Sequence, residues 1–229
     1  MKTLTCLTLV LAVTLGIAAA ATPLLDWNLD TLPTDGTTKG KIILGEGVKG
    51  QAAYFNTKNH NWSSLASPAR ALTPPLTFEC WFRENGAEYP SPTPCIAATA
   101  DRFFEILYGR QDGALNVSLR NGTAVAINTG TIKAGLLDGA WHHIAVTRNL
   151  AGEMRIYVDG RLDGTGTDPA GDIRYRDGRT TSYPNDPYLV IGAEKNDLNS
   201  ALYPSFSGWL DEIRLSNSLR YTADFSPPL

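Results

Sequence analysis

Apolar and polar residues alternate with period two along much of the chain. In His142–Arg148, Ile144 and Val146 alternate with Ala145 and Thr147; in Glu153–Val158, Met154, Ile156 and Val158 alternate with Arg155 and Tyr157. Successive side chains of a strand point to opposite faces, so this pattern predicts half-buried β-strands. A turn at Arg148–Gly152 joins the two segments. Asp159-Gly160 then reads as a two-residue hairpin turn, because a type I′ turn needs positive φ and Gly supplies it at little cost. The same pattern predicts strands at Leu24–Asn28, Lys41–Leu44, Gln51–Phe55, Leu76–Arg83, Cys95–Ala98, Phe103–Tyr108, Ala114–Arg120, Ala124–Asn128, Arg161–Asp163, Tyr188–Gly192 and Gly208–Leu215. Asp112-Gly113 and Asn121-Gly122 are further hairpin turns. Many short strands, no convincing amphipathic helix and no long-period repeat predict an all-β fold of two antiparallel sheets in a sandwich.

The first residues break this pattern. Lys2, the apolar run Leu4–Ile17 and the small residues Ala18–Ala21 predict a secretory signal peptide over residues 1–21, leaving a single domain over residues 22–229. The run is short for a membrane anchor and no basic stop follows it. The mature protein is therefore expected to be secreted, periplasmic or at the cell surface, with no membrane insertion after cleavage. Net charge is −3, one unit more negative once Lys2 leaves, and no basic patch stands out. Nucleic acid is thus not an expected partner.

Export changes the reading of the cysteines. Cys6 falls in the leader, and Cys80 and Cys95 remain. An even pair in an exported chain predicts one disulfide, which would contribute about 3 kcal/mol by closing a short loop. Two buried free thiols are the alternative. Two segments read as long loops, Glu84–Pro94 and Thr165–Pro187, and loops of that length are usually functional or disordered.

Several segments carry a family resemblance. WHHIAVTR…YVDG (141–160) resembles the "W-H-x-A-V-T-R … Y-V-D-G" stretch of laminin-G-like, concanavalin A-like sandwich domains. LLDWNLD (24–30), LTFECWFR (76–83), YLVIGAE (188–194) and FSGWLDEIRLSN (206–217) are similar to further strands of that family, in the same order. The ending LRYTADFSPPL resembles those of laminin-G-like domains in phage and bacterial surface proteins. The resemblance implies a jelly-roll sandwich, usually a binding module and only sometimes an enzyme. The loop TLPTDGTTKG and the long Thr165–Pro187 insertion depart from the commoner pattern.

The resemblance also implies a structural calcium ion near the closing strand. Asp211 would meet carbonyls of the Gly45–Gly47 turn and the region of Asp26 or Asp30. Calcium takes six to eight oxygen ligands, which such a set could supply. The alternative is that Asp211 hydrogen-bonds backbone amides at a sheet edge. Catalysis has little support. No E-x-D-x-E motif occurs, and Asp211 and Glu212 are adjacent, so they point to opposite faces of a strand and cannot flank one glycosidic bond from it. No G-x-S-x-G elbow accompanies the histidines, His60, His142 and His143. His142 and His143 also face opposite ways, which argues against joint metal chelation.

Sugar recognition needs flat aromatic faces and planar polar groups. Tyr175, Tyr183, Asn185, Asp186, Asn196, Asp197 and Tyr203, with Tyr188 and Asn199, flank one predicted strand and form a candidate ligand-binding rim. Asn59, His60, Asn61 and Trp62 form a second. Trp27, Trp81, Trp141 and Trp209 lie in strands and read as packing residues. Sequons at Asn61, Asn116 and Asn121 matter only where the glycosylating enzyme is present. The expected function is an exported, non-catalytic module binding carbohydrate or glycoprotein. The alternatives are an adhesion domain that contacts protein and a glycoside hydrolase with an unrecognised site.

Overall fold

The computed structural model describes residues 22–55, 64–67, 73–84, 95–99, 104–108, 114–119, 129–130, 135–167, 170–171, 189–193 and 206–229. The expected leader over residues 1–21 lies outside them. Their strands run in chain order from β1 (Leu25–Trp27), β2 (Thr37–Lys39), β3 (Ile43–Glu46), β4 (Gln51–Phe55) and β5 (Ser64–Ala66) to β6 (Leu76–Arg83), β7 (Cys95–Thr99) and β8 (Phe104–Tyr108). There follow β9 (Leu115–Leu119), β10 (Thr129–Gly130), β11 (Trp141–Arg148), β12 (Glu153–Val158), β13 (Arg161–Thr167), β14 (Leu189–Ile191) and β15 (Gly208–Ser216). No helix occurs among the described residues. The strands form two sheets. The first has the order β13-β12-β11-β6-β15-β4-β3, with β1 also on β15; the second has the order β10-β9-β8-β7-β14-β5-β2. The paired strands run antiparallel, as the all-β sandwich expectation requires.

Alternation decides which side chains meet between the sheets. Phe78, Cys80 and Phe82 of β6, Ile144 and Val146 of β11, Met154, Ile156 and Val158 of β12 and Leu210, Ile213 and Leu215 of β15 join one buried cluster with Ile96, Ile106, Val117 and Ile191 of the second sheet. The expected hairpin turn forms at Asp159-Gly160, with φ of 51° and 77°. Three short strands, β2, β5 and β10, escape the hydrophobic pattern. The first two are TTK and SLA, too brief to show alternation, and they pair with each other beside β14.

The expected disulfide is corrected. Cys80 and Cys95 are both buried free thiols. Cys80 sits in the first sheet beside core Phe78 and Phe82, and Cys95 sits in the second, at an irregularity in the β7–β8 register. Burial, then the Glu79 and Asp211 charges, push the Cys80 thiol well above its ordinary range. A thiol needs to ionise to react. Both cysteines are expected to resist alkylation in the native protein. Both should be alkylated in denaturant without reductant, which intact mass would show as two adducts.

Candidate functional site

The outer face of the first sheet is built from the residues that alternate with the core set. Thr77, Glu79, Trp81 and Arg83 of β6 face outward between Trp141, His143, Ala145 and Thr147 of β11 on one side and Trp209, Asp211, Arg214 and Ser216 of β15 on the other. Among the described residues this face has two parts, one covered and one open.

The covered part lies under residues 218–228. Thr77 Oγ1 donates to the Ser218 carbonyl at 2.7 Å, and Arg155 Nη1 to the Thr222 carbonyl at 2.6 Å. Phe225 N donates to the Gly160 carbonyl at 2.9 Å, and Trp81 Nε1 to the Pro228 carbonyl at 2.9 Å. The rings of Tyr221 and Phe225 stack at 3.5 Å and 6°, and Phe225 meets His143 and Tyr157 edge-on. Gly160 is needed here beyond its turn, because a Cβ would collide with the Phe225 carbonyl. Beneath this strap lie buried Glu79, His143 and Tyr157. Tyr221 Oη donates to Glu79 at 2.5 Å, and Arg220 Nε lies 2.8 Å from the same carboxylate. Burial pushes the Glu79 carboxyl up. Hydrogen bonds from His143 and Tyr221 and the Arg220 charge outweigh it and hold the group below the usual range.

The open part lies at the end of the sheet, one row beyond Trp81. Ile43, Tyr54, Trp209, Arg83 and Trp141 stand directly opposite one another across β3, β4, β15, β6 and β11. The four larger side chains are half-buried, and Ile43 is exposed. Tyr54 and Trp209 lie 5.1 Å apart at 51°. The Arg83 guanidinium carbon lies 4.8 Å from the Trp141 ring centroid and 5.4 Å from that of Trp209. The far edge of the Trp209 indole lies over Gly45 of β3, where a Cβ would fall 2.8 Å from Cζ3. The indole thus lies down across the sheet because Gly45 leaves the space. Such an arrangement offers aromatic surface with guanidinium N–H donors between, suited to ligands with flat apolar faces and hydroxyl rims.

The residues expected to hold calcium do come together in part. Asp211 Oδ2 accepts from the Val48 and Lys49 amides at 2.9 and 3.3 Å, and its Oδ1 from the Glu212 amide at 2.8 Å. Asp30 Oδ1 accepts from the Gln51 amide at 2.8 Å. Both carboxylates therefore fasten the Gly47–Gly50 turn, and a Cβ on Gly47 would lie 2.5 Å from Asp211 Oδ2. Gly45 serves Trp209 instead. This is the hydrogen-bonding alternative for Asp211. The donor set does not fit a hard cation, since N–H groups face both carboxylates where calcium needs oxygens. No group of three or more His, Cys, Asp or Glu side chains among the described residues is placed to hold a metal ion. Burial pushes the Asp211 carboxyl up to about 6, against the pull of the three amides.

The histidines face opposite ways as expected. His142 lies between Asp159 Oδ2 and Asp138 Oδ1, at 3.0 and 3.2 Å, beside core Phe82, while His143 lies under the strap. Both ring nitrogens of His142 thus meet carboxylates. The predicted rim of Tyr175, Tyr183, Asn185, Asp186, Asn196, Asp197 and Tyr203 lies outside the described residues, as does that around Trp62. The open row was missed because Trp141 and Trp209 were read as packing. The alternation of β11 and β15 already held the signal, since it sets both opposite Ile144 and Leu210.

Known proteins share this fold. Domain 4 of AbnA, a GH43 extracellular arabinanase from Geobacillus stearothermophilus solved with arabinotriose, matches with a TM-score of 0.60 and 20% identity, over 86% of this chain and 93% of that one. The binding domain of botulinum neurotoxin serotype G matches with a TM-score of 0.58 and 11% identity, over 86% of this chain and 48% of that one. Botulinum neurotoxin type C, whose cell entry depends on interaction with two ganglioside molecules, matches with a TM-score of 0.51 and 12% identity, over 80% and 43%. At these identities the likeness is one of fold. The rat Sushi, von Willebrand factor type A, EGF and pentraxin domain-containing protein 1 is 29% identical over 115 residues, 48% of this chain, which spans only 3% of that protein's length. The Laminin_G_3 family model matches residues 49–224. With the two-sheet sandwich and the ordered strand motifs, this match makes the chain a member of the Laminin_G_3 family of the concanavalin A-like lectin/glucanase superfamily.

Proposed function

We propose that the protein is an exported, non-catalytic module that binds carbohydrate or a glycoconjugate. One observation carries this reading: the half-buried row of Tyr54, Trp209, Arg83 and Trp141 on the open end of the first sheet. Sugar rings carry apolar faces that pack on indoles and equatorial hydroxyls that accept from a guanidinium. The arabinotriose complex and the ganglioside-dependent toxin support it as examples of glycan recognition on the same fold. The carboxylates on this face support a non-catalytic role, since Glu79 and Asp211 are buried and engaged within the protein. Export rests on the leader read from residues 1–21. No helix among the described residues is long and apolar enough to cross a membrane.

A glycan array probed with residues 22–229 tests the proposal. Trp209→Ala and Trp141→Ala should each cut binding on the order of tenfold, as truncating an aromatic anchor commonly does. Both should keep the wild-type circular dichroism. Binding unchanged in both variants, or no glycan bound by the wild type, would overturn it.

A further inference from the structure

We infer that the open row binds an extended β-1,4-linked hexopyranose chain laid across the strands, with Trp209 and Trp141 holding alternate sugar rings. This rests on the carbohydrate reading above and names its substrate class. The row is in direct register, and Trp209 and Trp141 are separated by β6 alone. Two strand spacings place their backbones about 9.5 Å apart. The rings are compatible with this: Arg83 Cζ lies over both, 4.8 Å from one centroid and 5.4 Å from the other, and the sum of these distances is an upper limit on their separation.

That spacing has a chemical counterpart. An extended β-1,4-linked chain of hexopyranoses is a flat ribbon in which each ring is flipped relative to the last. Every second ring presents the same face on the same side, and this two-ring repeat is close to two strand spacings. An α-1,4-linked chain coils away from a flat surface after one contact. A furanose has no comparably flat face. Arg83 stands at the level of the intervening ring, where its guanidinium N–H groups reach that ring's hydroxyls. Gly45 lets Trp209 lie down over β3, which lines the indole up with a ribbon parallel to the sheet.

The geometry makes chain length the readout. Three rings are needed to touch both indoles at once, so affinity should rise steeply from disaccharide to trisaccharide and tetrasaccharide. Calorimetric titration of residues 22–229 with cello-, manno- and malto-oligosaccharides of two to six rings, and with arabinotriose, measures this. The expected result is binding of at least one β-1,4 series, with that rise, and no comparable binding of maltohexaose. Trp209→Ala and Trp141→Ala should flatten the length dependence, leaving the hexamer bound little better than the dimer. Gly45→Val, which lifts the Trp209 indole without removing it, should do the same. Melting curves of each variant separate loss of binding from loss of fold. Equal affinity for dimer and hexamer, or for malto- and β-1,4-oligosaccharides, would overturn the inference while leaving carbohydrate binding intact. So would β-1,4 binding that survives both Trp substitutions. Failure of every saccharide here and on the array would remove the functional reading itself.

Discussion

Removing residues 219–229 is expected to abolish cooperative folding at room temperature, the largest effect of any change considered. The strap covers Glu79, His143 and Tyr157, and its loss strips Arg220 and the Tyr221 hydroxyl from a carboxylate only 1% exposed. Each charge-assisted hydrogen bond lost from the carboxylate costs about 1.5–3 kcal/mol, even though water reaches the uncovered group. Losing the half-buried Tyr221 and Phe225 rings adds about 1.5–3 kcal/mol for each large side chain taken out of contact. Together these reach the whole stability of an ordinary domain, about 5–15 kcal/mol. Thermal unfolding followed by near-ultraviolet circular dichroism would show a broad, low transition or none. A sharp transition near that of the intact protein would show that the strap is an ornament on an independently stable sandwich. Phe225→Ala is the milder companion. It keeps Arg220 and Tyr221 on Glu79 and should lower the melting temperature without abolishing the transition.

Asp211→Ala is expected to cost about 3 kcal/mol or more, because it leaves the Val48, Lys49 and Glu212 amides without their acceptor beside a fully buried position. That corresponds to a fall in melting temperature of about 6–12 °C for a chain of this size. Chelator should leave the melting temperature of the wild type unchanged, since the carboxylate is held by amides. A chelator-sensitive melting temperature restored by calcium would instead place an ion at this turn. The acid titration carries a second signature. The folded Asp211 carboxyl stands at about 6, above its ordinary 3.8, so the folded state holds this proton more tightly than the unfolded chain. Its contribution to stability is fully present below 3.8 and is lost as pH rises through about 6. Glu79 has the opposite sign. It is held below its ordinary 4.5, so its contribution is present above that value and is lost as pH falls through its folded pKa. Stability should therefore peak on the acid side of neutrality. Asp211→Ala should remove the gain between neutral pH and the peak, and Glu79→Gln should remove the fall below it.

The sequence by itself determined the longer strands and the faces of the longest of them. In β6, β11, β12 and β15 the period-two pattern is local, and burying one set of side chains forces the other set outward whatever the sheet neighbours are. The Asp159-Gly160 turn was equally local, since it depends on the φ that two residues can adopt. The family resemblance then ordered these strands into a sandwich. What only the tertiary structure decided is which outward residues share a neighbourhood. Tyr54, Arg83, Trp141 and Trp209 come from four strands far apart in the chain, and no local pattern records that they stand in one row. Asp211 meets amides more than 160 residues away, so the family resemblance suggested a cation site while its actual neighbours are N–H donors. The ending 218–228 carries no strand alternation, and its role as a cover depends on Glu79, Trp81 and Gly160 having already been brought to one face. Cys80 and Cys95 show the same division: an even count in an exported chain suggested a bridge, but whether two thiols meet is fixed by the register of two sheets, and each stays free within its own. Local sterics and burial set the period of a strand, whereas a site is a set of contacts between strands, and those are chosen by the pairing of the whole sheet.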